Sequence, residues 1–461
     1  MECGGGIRAE VRQTWPTLTI LAVALWLFST TAGDQVFVSD MLGEAYDSQA
    51  EHFLRGDVNV DGEAIRHEAM IVQGKARMYF GPLPALLRIP LNFVYPAGRG
   101  RWSRISVFSA AMIALCAFAA LIRDALAKSV VKPIARERFA IVCLVAFAFA
   151  SPLLLLLGEA SIYNEAAAWG LAGSIAALLF AFRCRERSGW HLTTNLIAFS
   201  ISAAAALLAR VSFGVPLLIV AVLLATRIRP PRRAWNLIAL LLPIVAAAAF
   251  HMLLSYERFG SIVGVNYDYY INSTQREFAR TQGMFRLTRV PYAFGDYFAL
   301  RPPSLEAEPP FFHAERHAYG VTGTRRLTSV PTSEAYISIP WCSAWLVAGA
   351  LAGSVMIFRK GYADSFERLV AAALVLECLA ILAYFAIAQR YAADFYPFLV
   401  VGFVVFLRRG SIMVSQMRGI VIALAAVSIC VNTLTTISWL TECDQNMPAQ
   451  TRDAWHRLLR R

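Results

Sequence analysis

Residues 15–33, WPTLTILAVALWLFSTTAG, form an apolar run without a charged side chain, and the polar interval 34–104 follows it directly. The run is close to the ~20 residues that a helix needs to cross a bilayer, and it is longer than the apolar core of a signal peptide, about 7–15 residues. We therefore expect a retained membrane helix and, after it, a long first loop. Ten further apolar runs follow, at 105–122, 139–158, 166–182, 192–209, 211–226, 234–256, 337–358, 369–388, 391–407 and 420–440.

The composition supports a membrane protein. Hydrophobic residues make up 57% of the chain and charged residues only 16%, whereas a soluble protein has about 25% charged residues. The sequence therefore predicts an all-α, polytopic membrane protein with about eleven spans in a single membrane domain, residues 1–461. The eight cysteines show neither a pairing pattern nor a CxxC metal motif.

Basic residues predict the orientation, because short cytoplasmic loops are rich in lysine and arginine. They fill every second connection, whereas the short connections on the other face contain only Arg210 and Arg390. This pattern places the N-terminus in the cytoplasm and places loops 34–104 and 257–336 outside, together with the C-terminal tail, 441–461. We expect the tail to form an amphipathic helix on anionic lipid. The net charge of +12 then reflects topology and not nucleic-acid binding.

The first loop contains three predicted elements. Apolar and charged side chains alternate at helical spacing between residues 44 and 55, which predicts a short helix on the outer leaflet, ended by Gly56. The turn pair Gln73-Gly74 predicts a loop or small hairpin. Residues 83–94 predict a second interfacial helix, limited by prolines. In the second loop, Tyr267 and its many aromatic neighbours either form an interfacial belt or line a sugar or lipid groove.

Acids that follow the first span are candidate catalytic groups. Asp40, Glu44 and Asp47 are spaced to share one helical face. Such a face either supplies a general base, with a neighbour that positions the acceptor or a divalent cation, or is simply solvated. Glu165 lies at the same expected depth and either joins these acids in a pocket or stabilises a helix N-terminus.

Arginines next to the apolar runs are candidate phosphate ligands. Arg210 has apolar runs on both sides, so it either binds a lipid-carrier phosphate or extends to ordinary headgroups. Arg390 is a second such residue, and Asp394 is spaced to pair with it. Glu377 interrupts the ninth run, where we expect it to face the protein interior and form a structural hydrogen bond.

The sequence contains no P-loop, GxSxG, HExxH or dinucleotide-binding motif. Neither ATP-driven transport nor use of a cytosolic nucleotide sugar is therefore supported.

Four segments carry a family resemblance: YDSQA at 46–50, MYFGPLPALLRIP at 78–90, RFG at 258–260 and RYAADFYPF at 390–398. They are similar to segments of bacterial members of the GT-C-type membrane glycosyltransferases, a class that includes protein O-mannosyltransferases and the aminoarabinose transferases of lipid A. Those enzymes use polyprenyl-phosphate sugars outside the cytoplasmic membrane. Their catalytic acid follows the first span, in a loop with two juxtamembrane helices.

The resemblance implies an enzyme of the bacterial inner membrane that transfers a sugar from a polyprenyl-phosphate carrier to a glycan, lipid or protein acceptor by an inverting general-base mechanism. Asp40 or Asp47 is then the expected base, with Glu44 beside it, and Arg210 and Arg390 hold the phosphate. The expected substrate pocket comprises Glu165, Tyr163, Tyr79, Gly81, Arg88, Asp394 and Tyr267. No cofactor is implied, and the need for a divalent cation and the oligomeric state stay open.

Two other functions remain compatible with the sequence. A flippase or transporter of a lipid-linked saccharide would use Arg210, Glu377 and Arg390 as charges along its pathway. An oligosaccharide polymerase or ligase would share the external site, but it usually has its chemistry in a late outer loop.

Overall fold

The structure is a computed structural model that describes residues 3–128, 132–230, 232–262, 264–300, 302–314, 334–359, 363–443 and 447–459. Its helices are α1 (Cys3–Ser29), α2 (Glu44–Leu54), α3 (Gly62–Ile65), α4 (Leu83–Val94), α5 (Ser103–Leu126), α6 (Pro133–Phe149), α7 (Pro152–Gly158), α8 (Ile162–Cys184), α9 (Gly189–Ala209), α10 (Val211–Ala225), α11 (Arg233–Phe259), α12 (Ser273–Gln282), α13 (Val290–Phe298), α14 (Ile339–Cys342), α15 (Ala344–Phe358), α16 (Ser365–Ala383), α17 (Tyr396–Arg409), α18 (Ser411–Ser438) and α19 (Ala449–Leu459). Its strands are β1 (Met70–Val72), β2 (Lys75–Arg77), β3 (Ser304–Leu305) and β4 (Phe312–His313).

The prediction of an all-helical membrane protein is confirmed, since every expected apolar run contains a helix. Within the described residues, six helical segments are long and apolar enough to span a bilayer, or seven if α6 and α7 form one bent span. The six are α5, α8, α9, α11, Gln389–Arg409 and Met413–Glu442. Trp15–Ser29, α10 and α15 are shorter apolar helices, so the count of eleven spans is not confirmed.

The helical backbone is interrupted at two places among the expected spans. The axes of α6 and α7 differ by 43°, because Pro152 disfavours a helical conformation at Ser151, whose side chain caps α7. Between α9 and α10, Arg210 alone adopts an extended conformation, with φ −159° and ψ 121°. This single residue separates the two helices, and its side chain projects from the break between them.

Small residues allow close packing within the bundle. A Cβ atom on Gly353 of α15 would overlap the carbonyl oxygen of Gly402 on α17. Membrane helices pack closely through such positions, because no hydrophobic effect drives them together within lipid.

Secondary structure in the first long loop, 34–104, follows the sequence pattern. Helices α2 and α4 are both present, and β1 and β2 form an antiparallel hairpin in which Met70 pairs with Arg77. Gln73 and Gly74 have φ values of 52° and 76°, as a two-residue hairpin turn requires.

The two long loops contact each other, and the C-terminal tail contacts α1. Ile271 N donates to Ala69 O over 3.0 Å, and a bridge joins Met70 to Tyr270, so the loops at 34–104 and 257–336 are attached to each other. In the C-terminal tail, α19 buries Thr451, Ala454 and Trp455. Trp455 packs on Phe28 with ring centres 5.1 Å apart. The apolar side of this helix therefore contacts α1, where the sequence suggested lipid.

Candidate functional site

Asp40 lies just before α2 and is held by an arginine. Arg104 Nε and Nη2 donate to the two carboxylate oxygens over 3.1 and 3.0 Å, and Arg104 also donates to Thr451 Oγ1 over 3.2 Å. Asp40 and Arg104 are both buried. Burial raises the pKa of the Asp40 carboxyl, and Arg104 opposes that rise. With both oxygens bound, Asp40 attaches the first loop to α5 and the tail.

Asp47 points inward from α2. Its Oδ1 accepts from Asn92 Nδ2 over 2.7 Å and its Oδ2 accepts from Gly100 N over 3.1 Å; Arg88 Nε is 3.6 Å away. Burial raises the pKa of the Asp47 carboxyl, while Arg88 and the two hydrogen bonds oppose that rise.

Arg88 joins Asp47 to Glu165. Arg88 Nη2 lies 2.8 Å from the Glu165 carboxylate, and both side chains are fully buried. These three charged side chains therefore connect the first loop to α8. Glu165 directly precedes Ala166, which lines the cavity described below.

The prediction that Asp40, Glu44 and Asp47 share one helical face is wrong. Glu44 is exposed and accepts from Ser39 Oγ over 3.2 Å, Asp47 is buried, and Asp40 precedes the helix. The reason is the turn at residues 41–43, where Leu42 has a positive φ of 56° and breaks the helical phase. None of the three lines the cavity.

A cavity of about 440 Å³ lies between the two long loops, 34–104 and 257–336, and the bundle. This volume is within the range of about 300–1,000 Å³ that is usual for ligand pockets. Its walls are formed by Tyr79, Phe80, Gly81, Tyr163, Ala166, Ala209, Arg210, Val211, Ser212, Val215, Pro216, His251, Phe285, Leu376, Glu377, Ala380, Ile381, Tyr384, Arg390 and Tyr391. It therefore unites five of the sequence-derived site residues: Arg210, Arg390, Tyr163, Tyr79 and Gly81.

Arg210 extends into this cavity from the break between α9 and α10. Its Nη1 lies 3.1 Å from Asp394 Oδ2, and its guanidinium carbon lies 4.9 Å from the ring centre of Tyr391. Ser212 Oγ donates to the other oxygen of Asp394 over 2.6 Å. A guanidinium has five N–H donors, so one ion pair leaves donors for a ligand.

Arg390 approaches from the segment before α17. Its Nη1 donates to both oxygens of Glu334 over 2.6 and 2.7 Å, and its guanidinium carbon lies 4.4 Å from the ring centre of Tyr163. Asp394 pairs with Arg210, so the i,i+4 pair of Arg390 with Asp394 suggested by the sequence is wrong. The short helical segment from Gln389 to Phe395 has 3₁₀ geometry, in which residues four apart do not align.

Glu68 organises the aromatic side of the cavity, although sequence reasoning missed it. This buried acid accepts hydrogen bonds from the hydroxyls of Tyr79, Tyr163 and Tyr270. Tyr267 packs against Tyr79 with ring centres 6.3 Å apart, behind the cavity wall. Glu68 follows His67 in a polar stretch with no motif, so only the fold brings the three tyrosines to it.

Gly81 brings the first loop against the end of α9. A Cβ atom at this position would overlap the carbonyl oxygens of Leu208 and Ala209. Arg258, also missed, donates from Nη1 to Phe80 O over 3.0 Å and is 3% exposed. The RFG segment therefore contacts the YFGP segment, whose Tyr79, Phe80 and Gly81 form one side of the cavity beside Arg210.

The cavity is open on one side of the bundle. Val211 and Val215 on α10 and Leu376 on α16 line it, and their exposed fractions are 40%, 42% and 49%. Exposed apolar surface marks contact sites for lipid or another apolar partner, so we expect this side to open toward the bilayer.

No protein-family model matches the chain, and no curated protein matches it. Among solved structures, the crystal structure of ArnT from Cupriavidus metallidurans in the apo state is similar with a TM-score of 0.38 and 12% sequence identity. That alignment covers 93% of this chain and 77% of the other.

Proposed function

We propose that the protein is a membrane glycosyltransferase that takes a sugar from a polyprenyl-phosphate carrier and transfers it to a hydroxyl on an envelope acceptor. The observation that carries the proposal is that Arg210 and Arg390, from separate segments, meet on one cavity that exposed apolar residues of α10 and α16 line on one side. A guanidinium binds phosphate through two parallel hydrogen bonds, and a side opening admits a ligand whose tail stays in the bilayer.

The roles of the other residues follow from their contacts. The acceptor oxygen attacks the anomeric carbon as the bond from that carbon to the phosphate oxygen breaks, and polyprenyl phosphate leaves. We assign the acceptor's proton to Asp47, because neutral donors hold its oxygens, whereas the guanidinium of Arg104 holds both oxygens of Asp40. Asp47 does not line the cavity, so this assignment requires the acceptor hydroxyl to approach from the side of the first loop. Glu68 positions Tyr79 and Tyr163 at the sugar, and Arg88 with Glu165 positions Asp47.

The proposal is tested by binding of polyprenyl phosphate to the full chain in lipid nanodiscs. Arg210→Ala should weaken binding about 10- to 100-fold, since a hydrogen bond to a charged group contributes about 1.5–3 kcal/mol. Arg210→Lys should bind polyprenyl phosphate with intermediate affinity, because lysine keeps the positive charge but cannot donate two parallel hydrogen bonds to the phosphate. Arg183→Ala is the matched control, since Arg183 is bound to Asp124 over 2.6 Å at the opposite end of α8.

The melting temperature of the same proteins separates binding from folding. Wild-type affinity in a well-folded Arg210→Ala protein contradicts the phosphate role. Movement of a labelled carrier across the bilayer without transfer of its sugar would instead establish a transporter.

A further inference from the structure

Glu377 is an exception among the buried acids of this protein. It lies on α16, is 2% exposed and lines the cavity, yet neither carboxyl oxygen has a hydrogen-bond partner among the described residues. By contrast, Asp40, Asp47, Glu165, Glu367 and Asp394 each have a partner from another helix or loop.

A buried carboxyl without a partner costs folding free energy. Buried polar groups in native proteins nearly always have a hydrogen-bond partner, because an uncompensated one has lost its bonds to water and gained none in their place. Glu377 lies on the face of α16 that also presents Ala380, Ile381 and Tyr384 to the cavity. His251 Nδ1, from α11 on the same cavity, also has no partner among the described residues. Both groups are therefore available to a ligand.

The chemistry of these groups indicates which part of a ligand they contact. A carboxyl group accepts hydrogen bonds in either protonation state, whereas the oxygens of an ionised phosphate and a polyprenyl chain have no donors to offer it. Among the parts of a sugar-carrying polyprenyl phosphate, hydroxyl donors belong to the sugar alone. Arg210 and Arg390 provide donors that suit the phosphate, so groups that suit both polar parts of one ligand line the same cavity.

We infer that Glu377 accepts hydrogen bonds from hydroxyl groups of the transferred sugar and thereby determines which sugar the protein uses. This inference rests on the proposed function. A site that hydrogen-bonds a substrate hydroxyl discriminates strongly against analogues without it, because its own polar group is then left unpaired. Glu377 is a binding residue in this account and has no part in proton transfer.

Binding of two kinds of probe tests the inference with the full chain in nanodiscs. The probes are bare polyprenyl phosphate and polyprenyl phosphate carrying glucose, galactose or mannose. We expect at least one sugar-carrying probe to bind the wild type about 10-fold or more tighter than the bare probe, as one satisfied hydrogen bond allows. Glu377→Leu should abolish this difference, so that the variant binds the sugar-carrying and the bare probes with equal affinity. Glu377→Gln, which keeps one acceptor oxygen, should retain part of it.

The melting temperature provides a second readout. Removing a carboxyl group that stabilises the fold would lower the melting temperature, whereas removing an unpaired one should not. Replacing an unpaired buried carboxyl by leucine should leave the melting temperature of the ligand-free protein unchanged or raise it. Glu367→Gln is the matched control on the same helix, because Glu367 is buried and bound by Arg185 and Arg409. It should lower the melting temperature and keep the sugar preference.

The outcomes distinguish this inference from the proposed function. Loss of the sugar preference in Glu377→Leu supports the inference. A preference that persists in that variant, no preference in the wild type, or equal weakening of both probes overturns it, while the phosphate role of Arg210 stands. Failure of the wild type to bind even bare polyprenyl phosphate overturns the proposed function, and this inference falls with it.

Discussion

At the scale of single residues, the site depends on how each buried charge is compensated. Asp40 and Asp47 have the same chemistry and nearly the same position in the sequence, yet a bidentate arginine holds Asp40, whereas the hydrogen bonds to Asp47 come from neutral donors and Arg88 Nε stays 3.6 Å away. A carboxylate fully bound by a guanidinium is a poor base, because accepting a proton breaks the ion pair. Asp47 is therefore the better candidate for proton transfer.

Asn92→Ala should change the pH dependence of transfer. The hydrogen bond from Asn92 favours the ionised form of Asp47, so its loss should raise the pKa of Asp47 further. A base works only when ionised, so activity falls as pH drops through this pKa, and the acid limb of kcat/KM should move to higher pH. Pre-steady-state transfer measured across pH checks the shift.

The control for this measurement is Asn272→Ala, which removes the cap of α12 in the second loop and touches no acid of the first. Its acid limb should coincide with that of the wild type. If the Asn92→Ala limb coincides as well, Asp47 is not the group that titrates in the profile. Asp47→Asn should then retain activity, whereas we expect it to lower the rate by about 10²–10⁴.

At the scale of elements, the contact between the first loop and α9 determines the shape of the cavity. Gly81 lies against the last carbonyls of α9, one residue before Arg210. A side chain at this position has no space, so the loop must move away from the arginine.

Gly81→Ala should therefore weaken binding of polyprenyl phosphate. The added methyl group should also cost about 1–3 kcal/mol of stability, as overpacking usually does. Binding and thermal unfolding in nanodiscs measure the two effects. Gly62→Ala is the control, because no atom lies within 4 Å of a Cβ built there. Equal binding by both variants would show that the loop contact does not shape the phosphate site.

Elements of the first loop could be predicted from the sequence, whereas their contacts could not. The helical spacing after Gly43, the Gln73-Gly74 turn and the prolines around 83–94 are local signals, and the local structure follows them. The partners of Arg104, by contrast, could not be predicted, because nothing near it in the sequence indicates Asp40 or Thr451. Glu68 and its tyrosines come from three separated segments, so no spacing rule could identify them.

At the scale of the whole molecule, hydropathy predicts the helical bundle because a bilayer requires its backbone hydrogen bonds to be satisfied within each segment. The number of spans is harder to predict, because a break can divide an apolar run without adding charge, as at Ser151, or with a single charge, as at Arg210. The cavity arises where the break at Arg210 faces α16 and the segment around Arg390. Arg210, Glu377 and Arg390 could be identified as candidates by their isolation in apolar sequence, whereas the cavity that they share could not.

Orientation in the membrane can be tested with single cysteines at two exposed positions, Gly62 in the first loop and Ser188 between α8 and α9. Because arginine and lysine concentrate on the Ser188 side, an impermeant thiol reagent should label Gly62→Cys in intact cells and not Ser188→Cys. The parent protein gives the background from the native cysteines. Permeabilised cells should label both. The reverse pattern in intact cells would place the cavity on the cytoplasmic side and remove the case for an envelope acceptor.

The side opening between α10 and α16 affects how turnover should be measured. A substrate that enters sideways reaches the site by two-dimensional diffusion, so its effective concentration is its mole fraction in the leaflet and not its amount per litre. Diluting the carrier with inert phospholipid at constant total amount should slow the reaction, whereas diluting the whole suspension with buffer should not change the rate per enzyme. Because the isoprenoid tail remains in the bilayer, the length of the tail beyond the opening should have little effect on affinity.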